Sequence, residues 1–154
     1  MKNYATIFFF LLTFASFAQK SDYSVSSYKT EGMKAPNTHY IGEAWLNGLI
    51  NSEEYHITKA TFRANSTLDW HKHGTAQVII IVEGEGYYQE RGKQPILLKE
   101  GDVIRCEKDI EHWHASSKNH DVTYLAIYGS QPTVWTEVLT QEYYDQVANQ
   151  LITK

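Results

Sequence analysis

The chain has 154 residues, 14 of them Lys or Arg and 18 Asp or Glu, for a formal net charge of −4. That mildly acidic balance excludes the basic footprint that nucleic-acid binding requires. The length suits one domain with a real core rather than two, and the single cysteine, Cys106, excludes an internal disulfide.

From the N-terminus, residues 1–18 read as a secretory signal peptide. Lys2 supplies the positive start, Tyr4 to Phe14 the apolar run, and Ser16 and Ala18 the small residues before Gln19. The run is too short for a bilayer span, which takes about 20 apolar residues. Removing 18 of 154 residues leaves 136 and takes one lysine away, so 13 basic residues face 18 acidic ones, a charge of −5. The expectation is an exported protein, periplasmic or secreted, with no membrane association once the peptide is removed. Residues 19–38 are polar and without clean periodicity, and read as an extended arm.

Residues 39–139 carry short segments rich in β-branched and aromatic residues. The predicted strands are Tyr40 to Leu46, Glu54 to Phe62, Gln77 to Val82, Gly86 to Arg91, Pro95 to Leu98, Asp102 to Cys106, Glu111 to Ala115, Val122 to Tyr128 and Val134 to Leu139. Gly84, Arg91-Gly92 and Glu100-Gly101 punctuate them. Many short strands at near-regular spacing predict an all-β sandwich or barrel. Residues 140–154 predict a helix capped by Thr140, with Tyr144, Val147, Ala148 and Leu151 on one face, placed to cover an end or edge of the barrel.

Four of the seven histidines fall in two pairs, His71-Lys72-His73 and His112-Trp113-His114. Residues i and i+2 of a strand share a face, so each pair projects two imidazoles into one space. Imidazole is the commonest metal ligand, and two such pairs in one small β domain predict a metal site. Gln77 follows His73 by four residues and opens the apolar run Val78 to Val82, a polar side chain entering a buried strand at ligand parity. Trp70 and Trp113 have the opposite parity and are expected to pack away from the metal. On Glu54 to Phe62, residues His56, Thr58, Ala60 and Phe62 share a face, and the small ones leave pocket volume if that face turns inward. Cys106 reads as a small buried residue, His120 as an exposed loop residue and His39 as part of the lead-in.

These motifs resemble those of the small single-domain cupins of type 2. Asn65, five residues, His71-Lys72-His73, three residues, Gln77, six residues and Gly84 follow the first cupin motif, and Gly101-Asp102 through His112 follow the second. Asn65 stands in place of a glycine, and Asn tolerates left-handed turns. Gln77 stands in place of the usual glutamate. Trp70-His71-Lys72-His73, Gln77 and His112-Trp113-His114, with Tyr40-Ile41-Gly42 upstream, resemble a narrower group that includes the manganese-dependent hydroxynitrile lyases of cupin fold. Those lyases tend to carry a further histidine where this chain has Tyr124 in Tyr124-Leu125-Ala126-Ile127.

The resemblance implies a double-stranded β-helix, or jelly-roll barrel, with a short C-terminal helix. It implies His71, His73, Gln77 and His112 as ligands of one divalent transition metal, Mn or Fe before Zn, Ni or Co. A neutral ligand set leaves the ion its full charge, which suits Lewis-acid chemistry on a small organic substrate. His114 is the expected acid or base and Tyr124 a candidate for orienting substrate. A lyase, decarboxylase or isomerase is the leading expectation. The alternatives are a metal-dependent dioxygenase and a non-catalytic cupin that binds a small ligand. Cupin-like barrels often pair through an exposed sheet edge, which implies a homodimer or higher homo-oligomer.

Overall fold

The computed structural model describes residues 24–36 and 38–152; the expected signal peptide, residues 1–18, lies outside them. Twelve strands precede one helix. They are β1 (Met33–Lys34), β2 (Tyr40–Ile41), β3 (Ala44–Asn51), β4 (Tyr55–Phe62), β5 (Thr67–Leu68), β6 (Trp70–Lys72), β7 (Gln77–Glu90), β8 (Ile96–Lys99), β9 (Val103–Cys106), β10 (His112–Ser116), β11 (Val122–Gly129) and β12 (Val134–Glu137). The helix α1 spans Gln141–Ile152.

All pairings are antiparallel, and they make two curled faces that share β7. The first runs β1-β3-β4-β11-β7-β9. In the second, β7 lies between β8 and β10, and β10 pairs on its other side with β5 and β6. β2 and β12 extend β5 and β6 respectively. The first core cluster fills the space between the faces, with Phe62, Ile79, Ile81, Val122 and Tyr124 all buried.

The two strands expected at Gln77 to Val82 and Gly86 to Arg91 are one bent strand, β7. Gly84 does not end it but turns it from one face into the other. Its φ is +75°, and an added Cβ would stand 2.0 Å from the Asp121 carbonyl oxygen. Just before it the pairing slips: Thr123 faces Glu83 while Tyr124 faces Ile81, leaving Val82 as the extra residue of a bulge. A bulge of this kind increases local bend and twist, which lets one strand serve both faces. Within the expected arm, Met33–Lys34 form β1 against Trp45 and Leu46. Asn65 sits at φ +59°, in the left-handed region that its sequence position predicts.

The helix covers the outer face of the second sheet rather than an end or edge of the barrel. Tyr144, Val147 and Ala148 are buried with Trp70, Tyr87, Trp113 and Leu139. The Thr140 hydroxyl caps the helix by accepting the Tyr143 N–H at 3.2 Å. The Tyr144 hydroxyl donates to the Ser116 carbonyl at 3.0 Å, which ties α1 to β10. Among the described residues no helix is long and apolar enough to cross a membrane.

Candidate metal centre

Strand alternation delivers the histidines as the sequence predicts. His71 and His112 are register partners across β6 and β10, and their rings lie 4.4 Å apart. His73 follows at the end of β6, 5.2 Å from the His71 ring and 5.5 Å from that of His112. The donor nitrogens of these three residues all lie within 4.8 Å of one another. The intervening Trp113 points the other way, onto the helix side, where its indole N–H donates to Gln89 Oε1 at 2.9 Å. Trp70 packs beside it at 6.3 Å, under the Arg91 guanidinium.

The hydrogen bonds behind the rings select which nitrogen faces the shared space. His71 Nδ1–H donates to the Asp69 carbonyl at 2.8 Å, and His112 Nδ1–H to the Ile110 carbonyl at 2.9 Å. Since a carbonyl only accepts, each ring keeps its Nε2 lone pair for the interior. His73 Nδ1 meets the Thr133 hydroxyl at 3.3 Å, and its Nε2 is buried with no protein partner. This arrangement, with one nitrogen held from behind and the other left open, is the usual support of a metal-binding histidine. Gln77, at the start of β7, brings Oε1 to 3.2 Å from His112 Nε2. Both atoms are acceptors while His112 is neutral. Two lone pairs converging in a buried space fit a cation between them.

Electrostatics keep the cluster neutral. Burial, then the neighbouring His112, drives His71 well below the ordinary imidazole range. The same two causes bring His73 down to about 4. Burial also lowers His112. Neutral imidazoles are the form that binds a metal ion.

His114 lies beside the three but outside their group. Its ring is 5.2 Å from that of His71, its Nδ1 lies 2.7 Å from the Tyr124 hydroxyl, and its buried Nε2 has no partner. Burial holds its pKa well down. Tyr124, the candidate for orienting a substrate, has its hydroxyl engaged by His114 and its ring stacked on Phe62 at 5.7 Å. These groups border a cavity of about 230 Å³, and Thr58, Ala60 and Phe62 do turn their shared face into it. His56, on the same strand face, tilts against Tyr128 instead. Cys106 is buried, with its thiol pushed up to about 11 by burial, and makes a poor nucleophile.

Three supporting residues carry no signal in the sequence. Asp69 holds His71 through its carbonyl, while its carboxylate accepts the Leu139 N–H at 2.9 Å. Trp135 lies 5.2 Å from the His71 ring and stacks at 4.3 Å on His39. His39, expected in the lead-in, is built into this wall, its Nδ1 3.1 Å from Asp69 Oδ2. Thr133 supports His73 from a loop before β12. His120 is exposed, as expected, and meets Glu85 at 3.0 Å.

Residues 59–128 match the family model described as a cupin domain. No curated protein matches the chain. Among solved structures, a cupin-like protein from Thermotoga maritima is 26% identical, with a TM-score of 0.74 over 79% of this chain and 96% of that one. A predicted oxalate decarboxylase from the same organism is 23% identical, with a TM-score of 0.61 over 69% and 97%. A DMSP lyase from Ruegeria pomeroyi is 16% identical, with a TM-score of 0.55 over 63% of this chain and 52% of that one. The fold is that of the cupins, a curled β architecture with one short C-terminal helix.

Proposed function

We propose that this cupin-fold protein is a metal-dependent enzyme of the lyase, decarboxylase or isomerase type, acting on a small organic substrate. The observation that carries the reading is the convergence of Gln77 Oε1 and His112 Nε2 at 3.2 Å, two buried acceptors with His71 and His73 beside them. His71, His73, Gln77 and His112 would hold one divalent ion. Manganese or iron is favoured by the resemblance to the manganese-dependent lyases. When bound, the ion supplies Lewis-acid polarisation of a substrate oxygen, with its charge undiminished because all four ligands are neutral.

The chain's own residues do the rest. His114 Nε2 is the one imidazole nitrogen in the cavity wall outside the ligand group, and it is positioned to take or give a proton. The Tyr124 hydroxyl occupies His114 Nδ1 and thereby fixes which nitrogen faces the substrate. Ala44, Leu46, Ala60, Phe62 and Ala126 give the reacting groups an apolar surrounding on one side. Tyr124 in place of a further histidine separates this site from hydroxynitrile cleavage and leaves a single free imidazole for proton transfer. The signal-like residues 1–18 would carry the enzyme out of the cytoplasm.

The test is proton exchange at carbon. Protein loaded with Mn(II) is incubated in D2O with a panel of 2-oxoacids and β-dicarbonyl compounds, with and without O2, and followed by NMR. Exchange or turnover that is independent of O2 and lost in His71→Ala is expected. Turnover that consumes O2, or tight binding of the panel with no exchange at all, would overturn the assignment.

A further inference from the structure

The cavity has two chemically different sides. One carries His71, His73 and His114, with Gln77 from the start of β7. The other belongs to the first sheet, where Ala44 and Leu46 of β3, Ala60 and Phe62 of β4, and Ala126 of β11 line the space. β3, β4 and β11 are successive neighbours. Each therefore contributes an alanine to the wall opposite the metal-binding side. These alanines step diagonally across the wall, since Ala44 pairs with Phe62, Ala60 with Leu46 and Tyr124, and Ala126 with Thr58, and a larger side chain at any of them would take up open volume. The polar pair on this side, Thr58 and Tyr128, is satisfied internally by a 3.0 Å bond between the two hydroxyls. Among the described residues, no Lys, Arg, Asp or Glu lines the cavity.

At about 230 Å³ the space lies below the roughly 300–1,000 Å³ typical of drug-sized ligands. We infer that it takes a small molecule with one metal-seeking polar head and an uncharged apolar body, such as a single ring, and that it rejects a second charge carried on that body. This rests on the metal-dependent reading above. The head would face the neutral donor set, and the body would lie against Ala44, Ala60 and Ala126. A second carboxylate would be buried against alanine, leucine and phenylalanine with no cation to pair with, which is strongly unfavourable.

Titration calorimetry with Mn(II)-loaded protein tests this with three probes. Benzohydroxamate has a chelating head and a ring, acetohydroxamate the same head without the ring, and 4-carboxybenzohydroxamate the same head and ring with a second charge on the far side. Benzohydroxamate is expected to bind at least tenfold more tightly than acetohydroxamate or 4-carboxybenzohydroxamate. Ala60→Leu should abolish the advantage of the ring while metal content and Tm stay near those of the parent. If Ala60→Leu fails to fold, Ala126→Val fills the same wall and carries the same expectation. Equal affinity for benzohydroxamate and acetohydroxamate, or tightest binding of 4-carboxybenzohydroxamate, would overturn the inference.

A parallel titration of metal-free protein with benzyl alcohol separates this claim from the metal assignment. Binding that Ala60→Leu abolishes upholds the apolar wall even if the protein takes up no manganese, an outcome that would sink the proposed function alone. No binding of benzyl alcohol, together with no advantage of the ring in the loaded protein, sinks the inference while leaving metal binding intact.

Discussion

Gln77 Oε1 and His112 Nε2 meet at 3.2 Å although 35 residues separate them, and each presents a lone pair to the other. Ile110 fixes this polarity, because its carbonyl takes the only N–H of the neutral His112 ring. Removing either member should therefore damage cation binding rather than break a favourable internal contact. Metal analysis of purified protein should find about one ion per chain, as expected for a single site with this ligand set. His71→Ala and Gln77→Ala should each lower metal affinity by about tenfold or more, as loss of a direct or supporting ligand does. Unchanged occupancy in both variants would refute the site.

The buried imidazoles also make a claim about pH. His73 is held at about 4 in the folded protein by burial and by His112, against an ordinary 6.5. Between these values the unfolded chain binds more protons than the native one, so native stability falls as pH drops through the window. The folded protein keeps its full advantage above pH 6.5. For metal-free protein, His73 alone corresponds to a loss on the order of 3 kcal/mol between pH 7 and pH 4. His71 and His112 are shifted in the same direction and add to it. Urea unfolding of the metal-free protein at several pH values measures the slope; a flat profile from pH 7 to 4 contradicts it.

Tyr124→Phe isolates the hydroxyl that holds His114 Nδ1 at 2.7 Å. It leaves that nitrogen buried without a partner, which costs about 1–3 kcal/mol. Metal content should not change, because His114 stands outside the three-histidine group. With a substrate in hand, kcat should fall by about tenfold with little change in KM, since the loss is of proton-transfer geometry rather than binding. The pH profile of kcat provides a reading that a purely structural role would leave unmoved, and the 15N shifts of the His114 ring report the lost hydrogen bond. An unchanged ring spectrum and unchanged kcat would dismiss the assigned role.

Gly84→Ala tests how the two faces are joined. A methyl group there meets the Asp121 carbonyl oxygen at 2.0 Å and must be carried at φ +75°. Backbone of this kind cannot yield without disturbing the β7–β11 bulge, so a loss of roughly 2–4 kcal/mol is expected. The midpoint of urea unfolding reports it. A loss under about 1 kcal/mol would mean that the turn between faces relaxes easily.

Much of this site was legible before any folding was considered. Side-chain alternation is a property of a single strand, so His71 with His73, His112 with His114, and the outward Trp70 and Trp113 follow from spacing alone. The Thr140 cap is equally local, set by one hydroxyl, whereas the left-handed Asn65 follows from the resemblance to the cupin motif, where it stands in place of a glycine. What spacing does not contain is which of two same-face histidines joins the donor group. His112 does and His114 does not, because β10 sets His112 opposite His71 and brings His114 toward Tyr124 of the other sheet. The engaged hydroxyl of Tyr124, the His39–Trp135 stack and the alanine wall have the same origin. Each depends on register and curl across sheets, and these follow from β7 bending at Gly84, where the Asp121 backbone lies too close for any side chain. Local periodicity chose the residues that face inward; the bend between the two faces chose which of them meet.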